Sequence, residues 1–266
     1  MNVNGVDINV VDAGSGEVLV YLHGFTGSHA DWKDQVAVTS DLYRTIGFDH
    51  RGHGQSGAPE ASEAYAIKIF ADDVHTVLTQ QGIDRCCLIG HSMGGFMSLQ
   101  LTLDHPELVR GLVLVDTSSG EWDVVPGYAE FKNKLHELAR TEGLEAAFEY
   151  DATHNPARVE KFRKHPELKE VARQKVLNTS VNGFIHVSNS FMAWPPVTDR
   201  LSEIKVPTLI VLGEEDAGFI RPSDIMKEKI AGSELVVIGG AGHNPHEEKT
   251  EAFNEAFLDF LPRVTW

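Results

Sequence analysis

The feature that most constrains the fold is a series of short apolar runs that contain no polar interruptions. The uninterrupted runs are Val18 to Leu22, Cys86 to Ile89, Leu112 to Val115 and Leu209 to Leu212. A strand exposed on one face alternates apolar with polar residues, whereas a strand covered on both faces does not. These runs therefore predict buried strands. Further strands are predicted at Val6 to Val11, Thr45 to Phe48 and Leu235 to Ile238.

Helical patterns separate the predicted strands. Apolar residues with the i, i+3, i+4 spacing of one helix face occur after the third strand and again near the C-terminus. The first set is Ile67, Phe70, Val74, Val77 and Leu78, and the second is Ala252, Phe253, Ala256, Phe257, Phe260 and Leu261. Because strand and helix alternate, we predict the α/β class, with a mostly parallel sheet covered by helices.

The alternation stops between residues 121 and 200, which we call the helical insertion. Its apolar pattern is helical, as at Phe131, Leu135 and Leu138. It holds 11 basic and 12 acidic residues, whereas the rest of the chain holds 12 basic and 27 acidic. The segment Trp194-Pro195-Pro196 favours a return to the sheet. We predict one core domain, residues 1–120 and 201–266, with the helical insertion placed within it.

The charge and the hydropathy of the chain restrict its partners. A net charge of -16 with no basic stripe disfavours nucleic acid and anionic membranes. No run of 18 apolar residues occurs, and the first 30 residues lack Lys and Arg, so we expect a soluble, cytoplasmic protein. Cys86 and Cys87 are adjacent in a predicted strand, where a mutual disulfide would be strained, and we expect both to be reduced.

A serine lies between two glycines directly after one buried strand. Ser92 is flanked by Gly90 and Gly94, and a helix is predicted from about Met93 to Leu103. A serine at such a junction is held in an unfavourable backbone conformation, and its neighbours must lack bulk. The turn exposes the hydroxyl at a helix N-terminus, where negative charge is favoured. Ser92 is therefore the candidate nucleophile.

A serine nucleophile needs a base and a carboxylate that orients the base. Asp216 follows one predicted strand and His243 follows the next, so both lie at the carboxyl edge of the sheet. We predict Asp216 as the acid and His243 as the base. The alternatives are Asp116, after the strand Leu112 to Val115, for the acid, and His246 for the base. Glu214 and Glu215 are expected to be solvated.

A glycine-rich loop follows the strand Val18 to Leu22. Acyl transfer needs two backbone N–H groups that bind the oxyanion, and a loop of this kind supplies one of them. The candidate donors are the N–H groups of Phe25, in this loop, and of Met93, directly after Ser92.

Taken together, these motifs give the chain a resemblance to the α/β-hydrolase superfamily, to its members with a lid. The motifs are HGFTGS at His23 to Ser28, FDHRGHGQS at Phe48 to Ser56, GHSMGG at Gly90 to Gly95, GEED at Gly213 to Asp216 and GAGHNPHEE at Gly240 to Glu248. The order nucleophile, acid, histidine is also that of the family. The resemblance covers nearly the whole chain. It implies an eight-stranded sheet, a Ser-His-Asp triad and a helical cap over the pocket.

No cofactor and no metal are predicted. Gly52-His53-Gly54-Gln55-Ser56-Gly57 matches the dinucleotide-binding pattern, but Pro59 and a polar stretch delay the next helix, which the pattern requires at once. The histidine spacings lack the H-E-x-x-H pattern of zinc enzymes. Phe191, Met192 and Trp194 are candidates for the lining of an apolar pocket, with packing against the core as the alternative role.

Three functions remain open at this point. The first is hydrolysis of a small to medium carboxylic ester through an acyl-enzyme. The second is carbon–carbon cleavage or a lyase step, since HGFTGS resembles the loop of the menaquinone-pathway synthase. Ring-cleavage hydrolases, however, typically show an aromatic residue where this chain has Asn244. The third is a small-molecule receptor that keeps the hydrolase fold.

Overall fold

One large sheet organises the molecule. The computed structural model describes residues 1–121 and 126–266. Its strands are β1 (Asn2–Val3), β2 (Val6–Asp7), β3 (Asn9–Ala13), β4 (Val18–Leu22), β5 (Arg44–Asp49), β6 (Cys86–His91), β7 (Val109–Val115), β8 (Thr208–Gly213) and β9 (Glu234–Ile238). The main sheet has the order β3-β5-β4-β6-β7-β8-β9. Only β3 runs antiparallel to its neighbour, so the predicted mostly parallel α/β sheet is confirmed.

Between β4 and β7 one α-helix follows each strand, whereas in the described residues five α-helices in succession separate β7 from β8. The helices are α1 (Lys33–Thr39), α2 (Ile67–Gln80), α3 (Met93–Asp104), α4 (Tyr128–Thr141), α5 (Leu144–His154), α6 (Pro156–Lys164), α7 (Glu167–Leu177), α8 (Val181–Ala193), α9 (Ile220–Lys229), α10 (Pro245–Glu248) and α11 (Thr250–Phe260). None of the helices in the described ranges is long and apolar enough to cross a bilayer.

Both faces of the sheet are covered, which explains the uninterrupted apolar strands. Every residue of β4 is buried. Val20 packs in a cluster with residues of α2, α3 and α9, whereas Leu19 and Tyr21, on the opposite face, pack in a second cluster with residues of α11. Alternate side chains of one strand therefore enter two separate apolar layers.

The described part of the chain forms a main sheet of seven strands, whereas the family resemblance implies eight. The N-terminal segment accounts for the difference. Asn4 and Gly5 both have positive φ, 49° and 81°, and join β1 to β2 in a separate two-stranded ribbon. Asn-Gly is the preferred sequence of a type I′ hairpin turn. The first strand thus pairs with its own continuation and adds no strand to the edge of the sheet.

The helical insertion lies between β7 and β8, which are neighbours in the sheet. Helices α4 to α8 fall within residues 121–200, and a 3-10 helix, Thr198–Glu203, leads back to β8. Residues 122–125 of the predicted insertion lie outside the described residues. The helices have an apolar cluster of their own, which includes Leu138, Phe148, Phe162 and Phe184.

Candidate active site

Ser92 occupies a strained turn between β6 and α3. Its φ is 50° and its ψ is -112°, a conformation that side-chain-bearing residues rarely adopt. The turn is packed too closely for side chains at the flanking glycines. A Cβ atom at Gly90 would overlap the carbonyl oxygen of Gly94, and one at Gly94 would overlap that of Leu22. The backbone thus fixes the serine at the N-terminus of α3.

Asp216 and His243 meet at the carboxyl edge of the sheet. The loop after β8 carries Asp216 and the loop after β9 carries His243. Nδ1 of His243 lies 2.6 Å from Oδ2 of Asp216, and both side chains are partly exposed. An ionised carboxylate accepts hydrogen bonds and cannot donate one. Nδ1 therefore carries the hydrogen, and Nε2 is left as the basic nitrogen. This is the protonation pattern that a general base requires.

The loop of His243 is held at several points. Nε2 of His91, the residue before Ser92, lies 2.7 Å from the carbonyl oxygen of His243 and donates to it. The N–H of Gly242 donates to Oε2 of Glu248 at 2.6 Å. The ring of Phe219 lies 4.9 Å from that of His243. The histidine is therefore positioned from its backbone as well as from Asp216.

The alternative base and acid occupy different environments. His246 is fully buried and stacks on Trp32 at 4.3 Å, away from the hydrogen bond between Asp216 and His243. Asp116 is fully buried, and its Oδ1 accepts from the N–H of Gly213 at 2.9 Å. The structure thus pairs His243, and not His246, with Asp216.

Glu214 and Glu215 are exposed, as the sequence predicts. Oε2 of Glu214 accepts from the N–H of Gly240 at 2.7 Å. Glu215 lies 3.7 Å from the ammonium group of Lys164. Neither carboxylate contacts His243 in these interactions.

The glycine-rich loop after β4 lies against the serine turn. A Cβ atom built at Gly24 would lie 3.3 Å from Cβ of Ser92 and 2.6 Å from Nδ1 of His91. His23 fixes the loop, since its Nδ1 donates to the carbonyl of Gly24 at 2.7 Å while its Nε2 accepts from the N–H of His50 at 3.0 Å. Phe25, one of the two candidate oxyanion donors, follows Gly24 directly.

Met93, the other candidate donor, is the first residue of α3. A residue in the first turn of a helix has no intrahelical acceptor for its N–H. The N–H group of Met93 therefore has no acceptor within α3, and its role as an oxyanion donor stays a prediction.

The three residues predicted to line a pocket have different surroundings. Phe191 contacts Phe25 and Phe96, with ring centroids at 5.5 and 5.8 Å. Trp194 is buried, stacks on Phe96 at 5.3 Å and belongs to the apolar cluster of the sheet. Met192 is about half exposed. The structure thus brings Phe191 to the glycine-rich loop, whereas Trp194 packs against α3.

Two aromatic residues near the site were missed by the sequence analysis. Phe184, on α8, stacks near Phe25 with centroids 5.5 Å apart, and Phe219 lies beside His243. Phe219 could have been found as an aromatic residue three positions after Asp216. For Phe184 the helical spacing gives no such signal, since its contact joins residues far apart in the chain.

Buried histidines surround the site and are uncharged. Burial, followed by the charge of His53, lowers the pKa of His23 to about 3, and burial lowers the pKa of His53 to about 4. Burial also holds the pKa values of His50, His91 and His246 well below the ordinary value. These neutral imidazoles pack in the interior, and they are unsuited to general acid chemistry at neutral pH.

One carboxyl oxygen of Asp116, one of Asp216 and a ring nitrogen of His243 lie within 4.8 Å of one another. Within the described ranges this is the one group of three such side chains close enough to hold a metal ion. The hydrogen bond between Nδ1 of His243 and Oδ2 of Asp216 accounts for this proximity. We therefore assign these atoms to an acid–histidine pair.

A cavity of about 580 Å³ lies at the boundary between the glycine-rich loop and the helical insertion. Thr26, Ser28 and Asp31 line one side, and Gln174 and Lys175, from α7, line the other. Its lining includes none of Ser92, Asp216 and His243. The cavity thus lies between the core and α7 of the insertion, and its lining does not contain the candidate triad.

Comparison with known proteins matches most of the chain to one family. A family model described as the alpha/beta hydrolase fold matches residues 17–250. A curated Bacillus subtilis relative, provisionally named 2-succinyl-6-hydroxy-2,4-cyclohexadiene-1-carboxylate synthase, is 28% identical over 271 residues. That alignment covers 98% of this chain and 97% of the relative.

Solved structures of similar proteins share the same architecture. A thermophilic esterase from Thermogutta terrifontis superposes with a TM-score of 0.85 at 28% identity, covering 97% of this chain and 94% of the esterase. Est816, described as an N-acyl homoserine lactone degrading enzyme, gives a TM-score of 0.80 at 30% identity, with 97% and 98% of the two chains covered.

Proposed function

The chain belongs to the α/β-hydrolase fold family, and from that premise we propose that it is a serine hydrolase acting on carboxylic esters of small to medium size. The observation that carries the proposal is the 2.6 Å hydrogen bond between Asp216 and His243. It lies at the sheet edge where the strained turn presents Ser92. An oriented histidine and a partly exposed serine at the same sheet edge are what nucleophilic acyl transfer requires.

The reaction proceeds in two halves. Oγ of Ser92 attacks the ester carbonyl carbon while Nε2 of His243 takes the hydroxyl proton, and the N–H groups of Phe25 and Met93 stabilise the oxyanion. The tetrahedral intermediate collapses, the C–O bond to the alcohol breaks, and His243 returns the proton to the leaving oxygen. Water, deprotonated by the same histidine, then attacks the acyl-enzyme and releases the carboxylic acid and free Ser92.

Relatives support an ester or lactone as the substrate class. One solved structure with 28% identity is of an esterase, and one with 30% identity is of a lactone-degrading enzyme. Both kinds of substrate present an acyl carbon bonded to an alkoxy oxygen. The apolar contacts of Phe25 with Phe184 and Phe191 place aromatic surface next to the glycine-rich loop. We propose that this surface receives the apolar part of the substrate, and that the helical insertion covers it as a cap.

The direct test measures turnover of p-nitrophenyl acetate and butyrate by wild type and Ser92→Ala. We expect the variant to lose about a thousandfold or more in kcat/KM, as removal of a triad member does. Ser98→Ala is the matched control, because this buried serine on the same helix bonds only the carbonyl of Gly94. Fluorophosphonate labelling with peptide mapping is the second arm. A loss of less than about tenfold, or labelling at another residue, would contradict the proposal.

A second candidate is a lyase or carbon–carbon cleavage step on a ketone or dienoate substrate. The provisionally named synthase of Bacillus subtilis, which aligns over 98% of this chain, favours it. Such a reaction could use the same serine, histidine and aspartate. Turnover of a dienoate with no turnover of p-nitrophenyl esters, both dependent on Ser92, would favour this candidate over the first.

A further inference from the structure

Asp116 is a buried carboxyl group that the proposed mechanism does not use. It follows β7 directly, has a φ of 40° and is fully buried. The N–H of Gly213, at the end of β8, donates to its Oδ1 at 2.9 Å. One oxygen of the group therefore has a defined partner and a defined orientation.

The second oxygen, Oδ2, is buried without a donor partner in the described residues. One carboxyl oxygen of Asp116 lies within 4.8 Å of a carboxylate oxygen of Asp216 and of a ring nitrogen of His243. Two ionised carboxylates are both acceptors and repel each other, so an ionised Asp116 would leave Oδ2 buried and unsatisfied. A protonated Asp116 can donate to Asp216, which satisfies both groups.

We propose that Asp116 is a positioning residue that keeps its proton and donates a hydrogen bond to Asp216, so that the two carboxyl groups together hold one negative charge beside His243. The inference rests on the proposed function, in which Asp216 orients His243. Its contribution is a second hydrogen bond to the Asp216 carboxylate, in addition to the one from Nδ1 of His243. Asp216 is then held by two donors, which limits its rotation away from Nδ1.

The electrostatic surroundings agree with this geometry. Burial raises the pKa of Asp116 to about 9, and the negative charge of Asp216 and a hydrogen bond between the two carboxyls act in the same direction. Glu248, on α10, also faces the group and raises its pKa, although Lys161 pairs with Glu248 at 2.6 Å. The N–H of Gly213 acts in the opposite sense. The group therefore stays protonated through neutral pH.

The first test measures stability and does not depend on catalysis. A carboxyl whose pKa is raised on folding stabilises the native state below its ordinary pKa, near 3.8, and that stabilisation is lost as the pH rises towards 9. Asp116→Asn is isosteric, can donate to Asp216 and does not titrate. Its Tm relative to wild type should therefore increase steadily between pH 5 and pH 8.5. A difference in Tm that is constant over this range would overturn the proposal.

The second test measures activity. Asp116→Leu removes both the donor to Asp216 and the acceptor for Gly213, and we expect kcat to fall tenfold or more with little change in KM. Asp116→Asn should restore most of that loss and should remove any change of kcat/KM centred near pH 9. Equal losses in the two variants would show a purely structural role. Absent ester turnover in wild type would instead contradict the proposed function, and the stability test would remain valid.

Discussion

The carboxyl edge of the sheet and the helical insertion use polar residues in opposite ways. At the edge, Asp116, His23 and His91 are buried, and each is held by hydrogen bonds to particular backbone groups. In the insertion, ion pairs such as Arg173 with Glu145 lie at the surface, with each side chain about a third to a half exposed. The buried groups of the edge are thus fixed to the backbone, whereas exposed ion pairs of this kind join one side chain to another. This difference agrees with the proposed reaction centre at the edge and the proposed cap over it.

The largest expected effect tests how rigid the edge is. Gly94→Ala would place Cβ against the carbonyl oxygen of Leu22, a backbone atom that cannot rotate away. We expect the free energy of unfolding to fall by about 4 kcal/mol or more, measured by urea denaturation. Gly127→Ala, before α4, is the control: it has open space around it but a φ of +80°, so about 1 kcal/mol of backbone strain is expected. Equal losses in the free energy of unfolding would show that the sheet edge is no more rigid than the insertion.

The next effect tests whether the insertion has a stability of its own. Phe148→Ala removes a buried ring from its apolar cluster, at a cost of about 3 kcal/mol. Hydrogen exchange should become faster in α5 and α7 and remain unchanged in β6. Phe253→Ala, under the sheet, is the matched change in the core and should accelerate exchange in the strands instead. Faster exchange in β6 with Phe148→Ala would show that the two regions unfold as one unit.

A smaller effect tests the connection between the regions. Lys161, on α6, pairs with Glu248 at 2.6 Å, and that carboxylate also accepts from Gly242 in the loop of His243. Lys161→Met leaves a largely buried carboxylate without its cation, so we expect a loss of about 1 to 2 kcal/mol and a change in KM. The control is Lys164→Met, three residues further on, whose ion pairs are longer and more exposed. A similar loss of stability in both variants would show that the contribution of an ion pair does not depend on its contact with the loop of His243.

The smallest effect concerns the return of the chain from the insertion to the sheet. Trp194 donates from Nε1 to Oε1 of Gln100 at 2.9 Å and stacks on Phe96. Trp194→Phe keeps most of the stacking and removes the hydrogen bond, so thermal unfolding should show a loss of about 1 kcal/mol. Gln100→Met in the Trp194→Phe background should cost little more. Additive losses would mean that the two side chains are not coupled.

The two regions also differ in how much of them could be predicted from sequence. The strands of the sheet follow from local composition, because a doubly covered strand such as β4 is apolar at every position. The positions of Ser92, Asp216 and His243 after strands follow as well, and their catalytic roles stay predictions. The contact of Phe184 with Phe25 could not be predicted, since it depends on how α8 is placed over the core.

Two features of the core also escaped the sequence analysis, for a different reason. The Asn4-Gly5 turn lets β1 pair with β2, whereas an eighth strand of the main sheet would have to pair with its edge. The local sequence does not decide between these two pairings. Asp116 was considered as an alternative to Asp216, although the structure places the two side by side. Chain order gives the sheet edge on which a carboxyl lies, but not its distance from a second carboxyl.

The buried histidines make the folded protein sensitive to acid, which the amino-acid composition alone does not show. The chain has 13 histidines, yet His23 and His53 have pKa values near 3 and 4, and His50, His91 and His246 lie well below the ordinary value of 6.5. These histidines therefore stay neutral in the folded chain at pH values at which they are protonated in the unfolded chain. The free energy of unfolding declines as the pH falls below about 6.5. Acid would act first as a denaturant of the sheet edge, by solvating imidazoles that now serve as packing.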